Sequence, residues 1–424
     1  MRTILVLIIA CFPALSVAQG TFDKYFTDKV LRFDYMLAGN NIKTVLYPVG
    51  MKEEPFYGGS KTRLTDPFGY GNFRYELFDE AEKKLIYSRG FCTLFQEWQT
   101  TAEAKVMERA FYEVATMPFP RNKAIFVLSK LEPDGSFVKL YEKEIDPADY
   151  FIRKEKPVTA GFTKIYYSGD PAVNVDLAFI AEGYTAQEMG KFRDDVKKMA
   201  DLLLSEPPYD EYKNKFNIWA VEAVSEESGT DIPGDRTYVN TAMNASFNTF
   251  DLDRYLTTQD IKSVNDYAAV VPHDNIMILI NSTKYGGGGV YNYYSCTTVG
   301  HPLSTHVFIH ELGHGFAGLA DEYYSSTVAY ENFYPLNVEP WEPNITTMVN
   351  FGSKWKNMIE AGIPVPTPAD SKYKDKVGAF EGGGYMTKGI YRPEMECTMK
   401  SNTPGGLCDV CRKAVRDMIG FYIK

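Results

Sequence analysis

Apolar and polar residues alternate with a period of two in the first third of the chain, which is the pattern of half-buried β-strands. Residues 73–78 alternate in this way, and an apolar run at 125–128 leads through a Pro-Asp-Gly turn into a second alternating run at 137–140. The last two runs predict a β-hairpin. Residues 102–114 show helical spacing instead, so we expect one helix across an end of a small β-sandwich.

Continuous apolar runs and a helical pattern follow in the rest of the chain. Residues 173–180, 216–224 and 275–281 have the length and apolar character of fully buried strands. The capping box Thr185-Ala186-Gln187-Glu188 opens an amphipathic helix that reaches Leu203. Strand, long helix and strand in this order predict an α/β domain with a twisted sheet, along whose edge a peptide could add as a further strand.

Prolines and glycines concentrate between residues 150 and 172 and predict the boundary between these two parts. A chain of 424 residues with 45% hydrophobic content is long enough for two ordinary cores. We therefore expect a β-rich N-terminal domain at 19–155 and a catalytic α/β domain at 156–424. The formal net charge of −10 argues against nucleic acid as a partner, because two negatively charged surfaces repel each other.

The N-terminus has the pattern of an export signal. Arg2 precedes an apolar run at 4–10, and Ser16-Val17-Ala18 is a small-x-small cleavage site. Residues 1–18 are therefore interpreted as a signal peptide, and the protein as secreted, periplasmic or on the cell surface. Cys11 also completes a lipoprotein-box pattern, but cleavage there would leave a signal of only about ten residues, near the lower limit of length. No later apolar run approaches the roughly 18 residues that span a membrane.

Potential metal ligands are concentrated in His310-Glu311-Leu312-Gly313-His314, an HExxH pattern. At i, i+4 spacing on a helix, two imidazoles lie on one face and can bind one zinc ion. A glutamate between them stands where a general base can take a proton from a metal-activated water. The strand predicted at 275–281, the glycines at 286–289 and the capping pair Ser304-Thr305 place the motif early on a helix that follows a strand. We assign His310 and His314 as metal ligands and Glu311 as the catalytic base.

Oxygen ligands for a third coordination position follow the motif. Gly318 can adopt the left-handed conformation that ends a helix, and Asp321 and Glu322 come next. A short carboxylate that arrives after this reversal needs less room at the metal than a longer one, so Asp321 is the preferred third ligand. Glu322 is expected to turn outward or to hydrogen-bond a ligand histidine, and it stays the alternative ligand.

The segment from Asn174 to the C-terminus resembles the IgA-peptidase family of secreted bacterial zinc endopeptidases, metallopeptidase family sixty-four. The resemblance rests on HELGHGFAGLADEY at 310–323, DLAFIAEGYT at 176–185 and SGTD at 228–231. It implies a metzincin-like catalytic domain with an HExxH active-site helix, one catalytic Zn²⁺ and hydrolysis of peptide bonds in a protein or peptide substrate.

The chain departs from the general metzincin pattern HExxHxxGxxH or HExxHxxGxxD by one residue. Ala317 stands at the glycine position and Ala320 at the position of the third ligand, so Gly318 and Asp321 each come one residue late. We interpret the shift as a turn particular to this family.

Metzincins also place a methionine beneath the metal, as an apolar and polarizable floor for the histidine rings. The resemblance assigns this role to Met399, with Met386 and Met395 as rivals. Some metzincins stabilise the oxyanion with a tyrosine two residues after that methionine. Ser401 stands there in this chain, which leaves Tyr391 as a substitute candidate.

Five of the six cysteines lie beyond the predicted signal peptide: Cys92, Cys296, Cys397, Cys408 and Cys411. The last three are close in sequence, and two of them form a CxxC pair. In an exported protein we expect one disulfide among these three, with a structural metal clip as the alternative.

These observations predict an exported zinc-dependent endopeptidase that acts on extracellular proteins, with immunoglobulin or other host glycoproteins among the candidates. The alternative is a non-proteolytic zinc hydrolase or a glycoprotein-binding module on the same fold. Glu311 favours the enzyme, because a binding module has no need of a general base at that position.

Overall fold

The computed structural model describes residues 21–324, 333–401 and 405–424. The predicted signal peptide at 1–18 and Cys11 lie outside these ranges. Within them, no helix combines the length and the apolar character needed to cross a bilayer.

The N-terminal part consists of two four-stranded sheets. Its strands are β1 (Phe26–Gly39), β2 (Thr44–Glu54), β3 (Phe73–Asp79), β4 (Leu85–Phe91), β5 (Arg109–Pro120), β6 (Ala124–Leu131), β7 (Phe137–Ile145) and β8 (Ile152–Arg153). One sheet has the order β5-β1-β2-β8 and the other β4-β3-β6-β7. The predicted hairpin is β6–β7.

Aromatic rings join the two N-terminal sheets. The ring of Phe33 in β1 lies 5.1 Å from that of Phe126 in β6 and 5.8 Å from that of Tyr141 in β7, between centroids. Rings at these distances bury large apolar areas, so the two sheets share one core.

The prediction of a helix at 102–114 is wrong. A single 3₁₀ turn at Glu103–Lys105 is followed by strand β5, and the α-helix nearby, α1, is the five-residue Leu94–Trp98. Buried and less buried residues alternate along most of β5, which pairs in antiparallel register with β1. The period-two burial and the partner strand override the helical spacing of the isolated segment.

The C-terminal part is built on one six-stranded sheet. Its elements are β9 (Gly161–Tyr166), β10 (Val175–Glu182), α2 (Met189–Leu203), β11 (Phe216–Glu222), α3 (Ile261–Ala268), β12 (Asn275–Ile280), β13 (Gly287–Val290), β14 (Tyr294–Thr298), α4 (Ser304–Ala317), the hairpin β15 (Phe380–Gly383) and β16 (Met386–Arg392), and α5 (Asp409–Tyr422). The sheet order is β13-β14-β12-β10-β11-β9. The four central strands are parallel, and β9 and β13 are antiparallel edges.

Both faces of the six-stranded sheet are covered. One face packs against α2, α4 and α5 in a single apolar cluster, and the capping box predicted at Thr185 and Glu188 is formed just before α2. The other face continues into the aromatic core of the N-terminal sheets. The two parts of the chain therefore pack through a continuous core.

The conformation of the loop after β11 is fixed by a buried carboxylate at the end of β10. Glu182 is fully buried and accepts hydrogen bonds from the hydroxyl of Thr241 at 2.6 Å and from the backbone N–H groups of Met243 and Ala245 at 2.9 and 2.8 Å. The next residue, Gly183, has a φ of 73° and leaves no room for a Cβ beside the carbonyl of Gly229. The loop is therefore held against the end of the sheet.

The edge strand β13 packs directly on helix α4. A Cβ at Gly287 would lie 2.9 Å from the carboxylate of Glu311, and one at Gly289 would lie 2.4 Å from the backbone carbonyl of Glu311. Real side chains do not tolerate such distances, so glycine is required at both positions for the helix to approach this closely.

Replacing Gly289 with alanine should separate α4 from β13. Overpacking at a rigid backbone contact typically costs about 1–3 kcal/mol, and we expect Gly289→Ala to lower the free energy of unfolding by that amount in urea denaturation. The matched control is Gly190→Ala: Gly190 is exposed on α2, and a Cβ there meets no atom within 4 Å. Equal stability of the two variants would show that the contact is not tight.

Glu113 should make the stability of the N-terminal part depend on pH. It is fully buried in β5, where burial raises the pKa of its carboxyl from 4.5 to about 8. Because the folded-state pKa is the higher one, the stability that protonated Glu113 contributes is complete below about pH 4.5 and is lost as the pH rises through about 8.

Glu113→Gln should remove this pH dependence. At about 1.4 kcal/mol per pKa unit, its stability relative to the wild type should rise by a few kcal/mol between about pH 5 and about pH 9. Thermal unfolding across that range measures the difference, with the exposed Glu108→Gln as control. Parallel pH profiles of the wild type and Glu113→Gln would contradict the buried-carboxyl account.

Candidate active site

Helix α4 brings the two histidines of the HExxH motif onto one face. The helix begins at Ser304, whose side chain accepts a hydrogen bond from the N–H of His301 and does not cap the following turn. It ends at Ala317, and Gly318 takes the left-handed conformation with a φ of 64°, as predicted. The rings of His310 and His314, one turn apart, have centroids 4.7 Å apart.

Three potential ligand atoms converge beside this helix. The Nε2 atoms of His310 and His314 are 3.1 Å apart, and Oδ1 of Asp321 lies 3.1 Å from the first and 3.4 Å from the second. A tetrahedral zinc ion with bonds of about 2.0–2.1 Å would hold its nitrogen and oxygen ligands about 3.3 Å apart. The three side chains therefore fit around one small metal ion.

Backbone carbonyls orient both imidazoles. Nδ1 of His310 lies 3.0 Å from the carbonyl of Thr398, and Nδ1 of His314 lies 2.6 Å from that of Leu319. A carbonyl can only accept, so each Nδ1 carries the hydrogen and each Nε2 of a neutral ring presents its lone pair. Two lone pairs and a carboxylate oxygen that face one another require a positive charge between them.

The pKa values at the site show the same preference for positive charge. Burial lowers the pKa of His310, but the hydrogen bond and the charge of Asp321 outweigh it and raise the pKa to about 9. Burial raises the pKa of the Asp321 carboxyl, but the two histidines outweigh it and hold the pKa well below its usual range. A proton or a metal cation satisfies this demand.

Glu311 faces the cleft beside the three converging atoms. Its carboxylate lies between α4 and the glycines of β13, and burial raises its pKa. A raised pKa makes a carboxylate a better proton acceptor in chemistry at neutral pH. The group is therefore placed to accept a proton from a reactant near the histidines.

Residues 320–323 run as an extended segment. Their backbone groups form hydrogen bonds alternately on two sides. On one side Ala320 bonds the Asn344 side chain and Glu322 bonds the backbone of Met399. On the other side Asp321 bonds Gly384 and Tyr323 bonds Tyr385. In an extended chain successive side chains point to opposite faces. Asp321 accordingly faces the histidines, and Glu322 faces away from them.

The sequence led us to expect that Glu322 turns outward or hydrogen-bonds a ligand histidine. In the structure it does neither. It is fully buried, accepts a hydrogen bond from the side chain of Asn344 at 3.0 Å and lies 3.2 Å from Sγ of Cys411. The expected disulfide is also absent among the described cysteines. The Sγ atoms of Cys397 and Cys411 are 3.8 Å apart, about twice the length of a disulfide bond.

Met399 lies under the histidine helix. Its Sδ would be 3.0 Å from a Cβ at Gly313, which lies between the two histidines in sequence. Met386 belongs to a separate small apolar cluster that includes Ala320. Of these two methionines, the structure places Met399 where the resemblance put the methionine turn. The partly exposed Met395 belongs to neither contact.

Tyrosines line the cleft, but the substitute candidate Tyr391 is not one of them. The backbone of Tyr391 pairs with Thr346 on the outer side of the hairpin. Tyr385, at the tip of the same hairpin, donates a short hydrogen bond to Oδ2 of Asp321. This bond leaves Oδ1 directed at the histidines.

A cleft of about 220 Å³ opens over the site, and the N-terminal part supplies one wall of it. Glu97 of α1 accepts a hydrogen bond of 2.6 Å from the hydroxyl of Tyr255, and burial raises the pKa of Glu97 to about 7. Sequence reasoning missed Glu97, Tyr255 and Tyr385. No motif marks these residues, because contacts between distant segments bring them to the cleft.

The outer edge of strand β13 is only partly free to pair with another strand. The backbone N–H of Leu256 bonds the carbonyl of Gly287 at 3.3 Å, so one position on the edge of β13 is already paired. The same segment also lies close to Gly288, where a Cβ would be 2.6 Å from the carbonyl of Leu256. A peptide could not add to this edge at Gly287 or Gly288 without displacing that segment.

Comparisons with known protein families match nearly the whole described chain. The family model described as IgA Peptidase M64 matches residues 163–374 and 369–419, and the model described as Peptidase M64 N-terminus matches residues 21–142. The comparison with curated proteins finds no match. Since the matches cover more than half of the chain and include both histidines and Asp321, this protein belongs to the IgA peptidase M64 family, a family of metallopeptidases.

Proposed function

We propose that the protein is an exported zinc-dependent endopeptidase with a metzincin-like active site. The observation that carries the proposal is the convergence of His310, His314 and Asp321 around one point, with the Glu311 carboxylate in the cleft beside it. Peptide-bond hydrolysis uses this combination of three protein ligands and a nearby base. Membership of a peptidase family supports the same reaction.

His310, His314 and Asp321 would hold the zinc ion. When bound, zinc polarises the scissile carbonyl and lowers the pKa of a water toward about 7. Glu311 accepts the proton of the attacking water and transfers it to the leaving amine. The carbonyls of Thr398 and Leu319 keep the two rings in their ligating orientation.

The substrate is proposed to be an extracellular protein or peptide. The cleft is open and is walled by both parts of the chain, so an extended segment can lie across the site. Residues 1–18, interpreted as a signal peptide, would direct the enzyme to the compartment where such substrates occur.

Removing the base should abolish proteolysis without removing the metal. We expect Glu311→Ala to lose roughly 10²-fold or more in turnover of casein or immunoglobulin, because it removes a proton carrier and no ligand. Activity with and without chelator and the bound metal per chain are measured together. The control is Glu360→Ala, an exposed glutamate paired with Lys376 at 2.8 Å. Near-normal turnover by metal-loaded Glu311→Ala would rule out this mechanism.

Substitutions at Asp321 and Tyr385 should weaken metal binding to different degrees. Asp321→Ala removes a ligand and is expected to empty the histidine site. Tyr385→Phe removes only the hydrogen bond to Oδ2 of Asp321, so it should weaken metal binding by about 10- to 100-fold. Competition with a chelator gives both affinities. An Asp321→Ala protein that binds metal as tightly as the wild type would remove Asp321 from the ligand set.

A further inference from the structure

A second cluster of potential metal ligands lies behind the active site. Glu322, Cys397, Cys408 and Cys411 each offer one ligand atom, and the four atoms lie within 4.8 Å of one another. All four side chains are buried, with exposed fractions of 0% to 4%. The cluster is built from the segment after α4, the segment after β16 and the start of α5.

The distances in this cluster match a tetrahedral site. Two thiolates bound to zinc at about 2.3 Å are separated by about 3.8 Å, and a thiolate and a carboxylate oxygen by about 3.5 Å. The Sγ atoms of Cys397 and Cys411 are 3.8 Å apart. Oε1 of Glu322 lies 3.2 Å from Sγ of Cys411 and 3.9 Å from Sγ of Cys408.

Backbone N–H groups donate to two of the three sulfurs. Sγ of Cys397 accepts from the N–H groups of Met399 and Cys408 at 3.5 and 3.3 Å, and Sγ of Cys408 accepts from the N–H of Cys411 at 3.5 Å. Cys408 is also the N-cap of α5, where the helix dipole favours a negative charge. Hydrogen bonds of this kind hold the two sulfurs in position and would stabilise the negative charge of metal-bound thiolates.

The buried carboxylate of Glu322 has an oxygen that could bind a cation. Oε1 of Glu322 is bonded by Asn344, but Oε2 is buried and has no hydrogen-bond partner in the part of the chain that the structure describes. The charge of the buried Arg392 acts on Glu322, but it makes no hydrogen bond to this oxygen. A cation bound to Oε2 would remove the cost of burying it unsatisfied. A Cys397–Cys411 disulfide would leave this oxygen and Cys408 unexplained.

We propose that Glu322, Cys397, Cys408 and Cys411 bind a second metal ion, a structural Zn²⁺ held by three thiolates and one carboxylate. Four protein ligands in a buried site leave no position for substrate, as in structural zinc sites. Thiolate-rich sets also select zinc over magnesium or calcium. Binding releases the thiol protons as the metal–sulfur bonds form.

This second site would stabilise the first one. Glu322 adjoins Asp321, and the N–H of Glu322 donates to the carbonyl of Met399 at 2.8 Å. Between Cys397 and Met399 lies Thr398, whose carbonyl holds the ring of His310. A metal bound behind α4 therefore fixes two of the segments that position the proposed catalytic metal.

Metal analysis of ligand variants separates the two sites. The wild-type protein should carry two zinc ions per chain, and the double variant His310→Ala/His314→Ala should retain one. X-ray absorption at the zinc edge of that double variant should show sulfur neighbours at about 2.3 Å. Cys408→Ser should lose the sulfur-ligated ion. The control is Cys296→Ser, a buried cysteine outside the cluster whose thiol donates to the carbonyl of Leu256.

A measurement on the unaltered protein covers the case in which Cys408→Ser fails to fold. After denaturation with chelator but without reductant, alkylation should label Cys397, Cys408 and Cys411, because metal-bound thiolates are not oxidised. A linked Cys397–Cys411 peptide, or a metal-free His310→Ala/His314→Ala protein that remains folded, would overturn the second site. A lack of proteolysis by wild-type protein with two zinc ions would count against the proposed function alone.

Discussion

The architecture of the site depends on the extended segment after the histidine helix. Gly318 reverses the chain, and residues 320–323 then bond alternately to the two sides, with Asn344 and Met399 on one and the β15–β16 hairpin on the other. This pairing fixes the faces of two consecutive carboxylates. The side chain of Asp321 lies beside the histidines, and that of Glu322 lies beside the three thiols on the opposite face. Any displacement of this short segment would disturb both groups at once.

Three distant parts of the chain meet at helix α4 to complete the cleft. The glycine strand lies against one side of the helix, at a distance that no side chain would allow. The segment around Met399 lies on another side and supplies the carbonyl that orients His310. The short helix α1 of the N-terminal part forms one wall of the cleft and is tied to the C-terminal part by the bond between Tyr255 and Glu97. The N-terminal sheets are therefore part of the structure around the site, and the shared apolar core holds them in place.

Sequence reasoning worked where the information was local. The i, i+4 histidines, the helix end at Gly318 and the capping box at Thr185 depend on residues a few positions apart, and the structure has each as expected. It failed where distant residues decide. Glu322 meets Cys411 across 89 positions and Glu97 meets Tyr255 across 158, and no periodicity carries such pairings. The helix expected at 102–114 became strand β5 because β1 provides a long partner. Asp321 was preferred on steric grounds, whereas in the structure the alternation of faces decides which carboxylate meets the histidines.

The alternation of faces at residues 320–323 also limits how this region can change in evolution. Because side chains in an extended segment repeat every two residues, inserting or deleting one residue between Gly318 and Asp321 would exchange the faces of the two carboxylates. A deletion would bring the longer side chain of Glu322 to the histidines, and an insertion would bring Asp321 to the thiols. In either case the other carboxylate would lie one position away from its partners. A shift of two residues would keep the faces but would move both carboxylates about 7 Å along the segment, away from their partners. The length of the turn and the order of Asp and Glu are thus expected to be inherited as one unit.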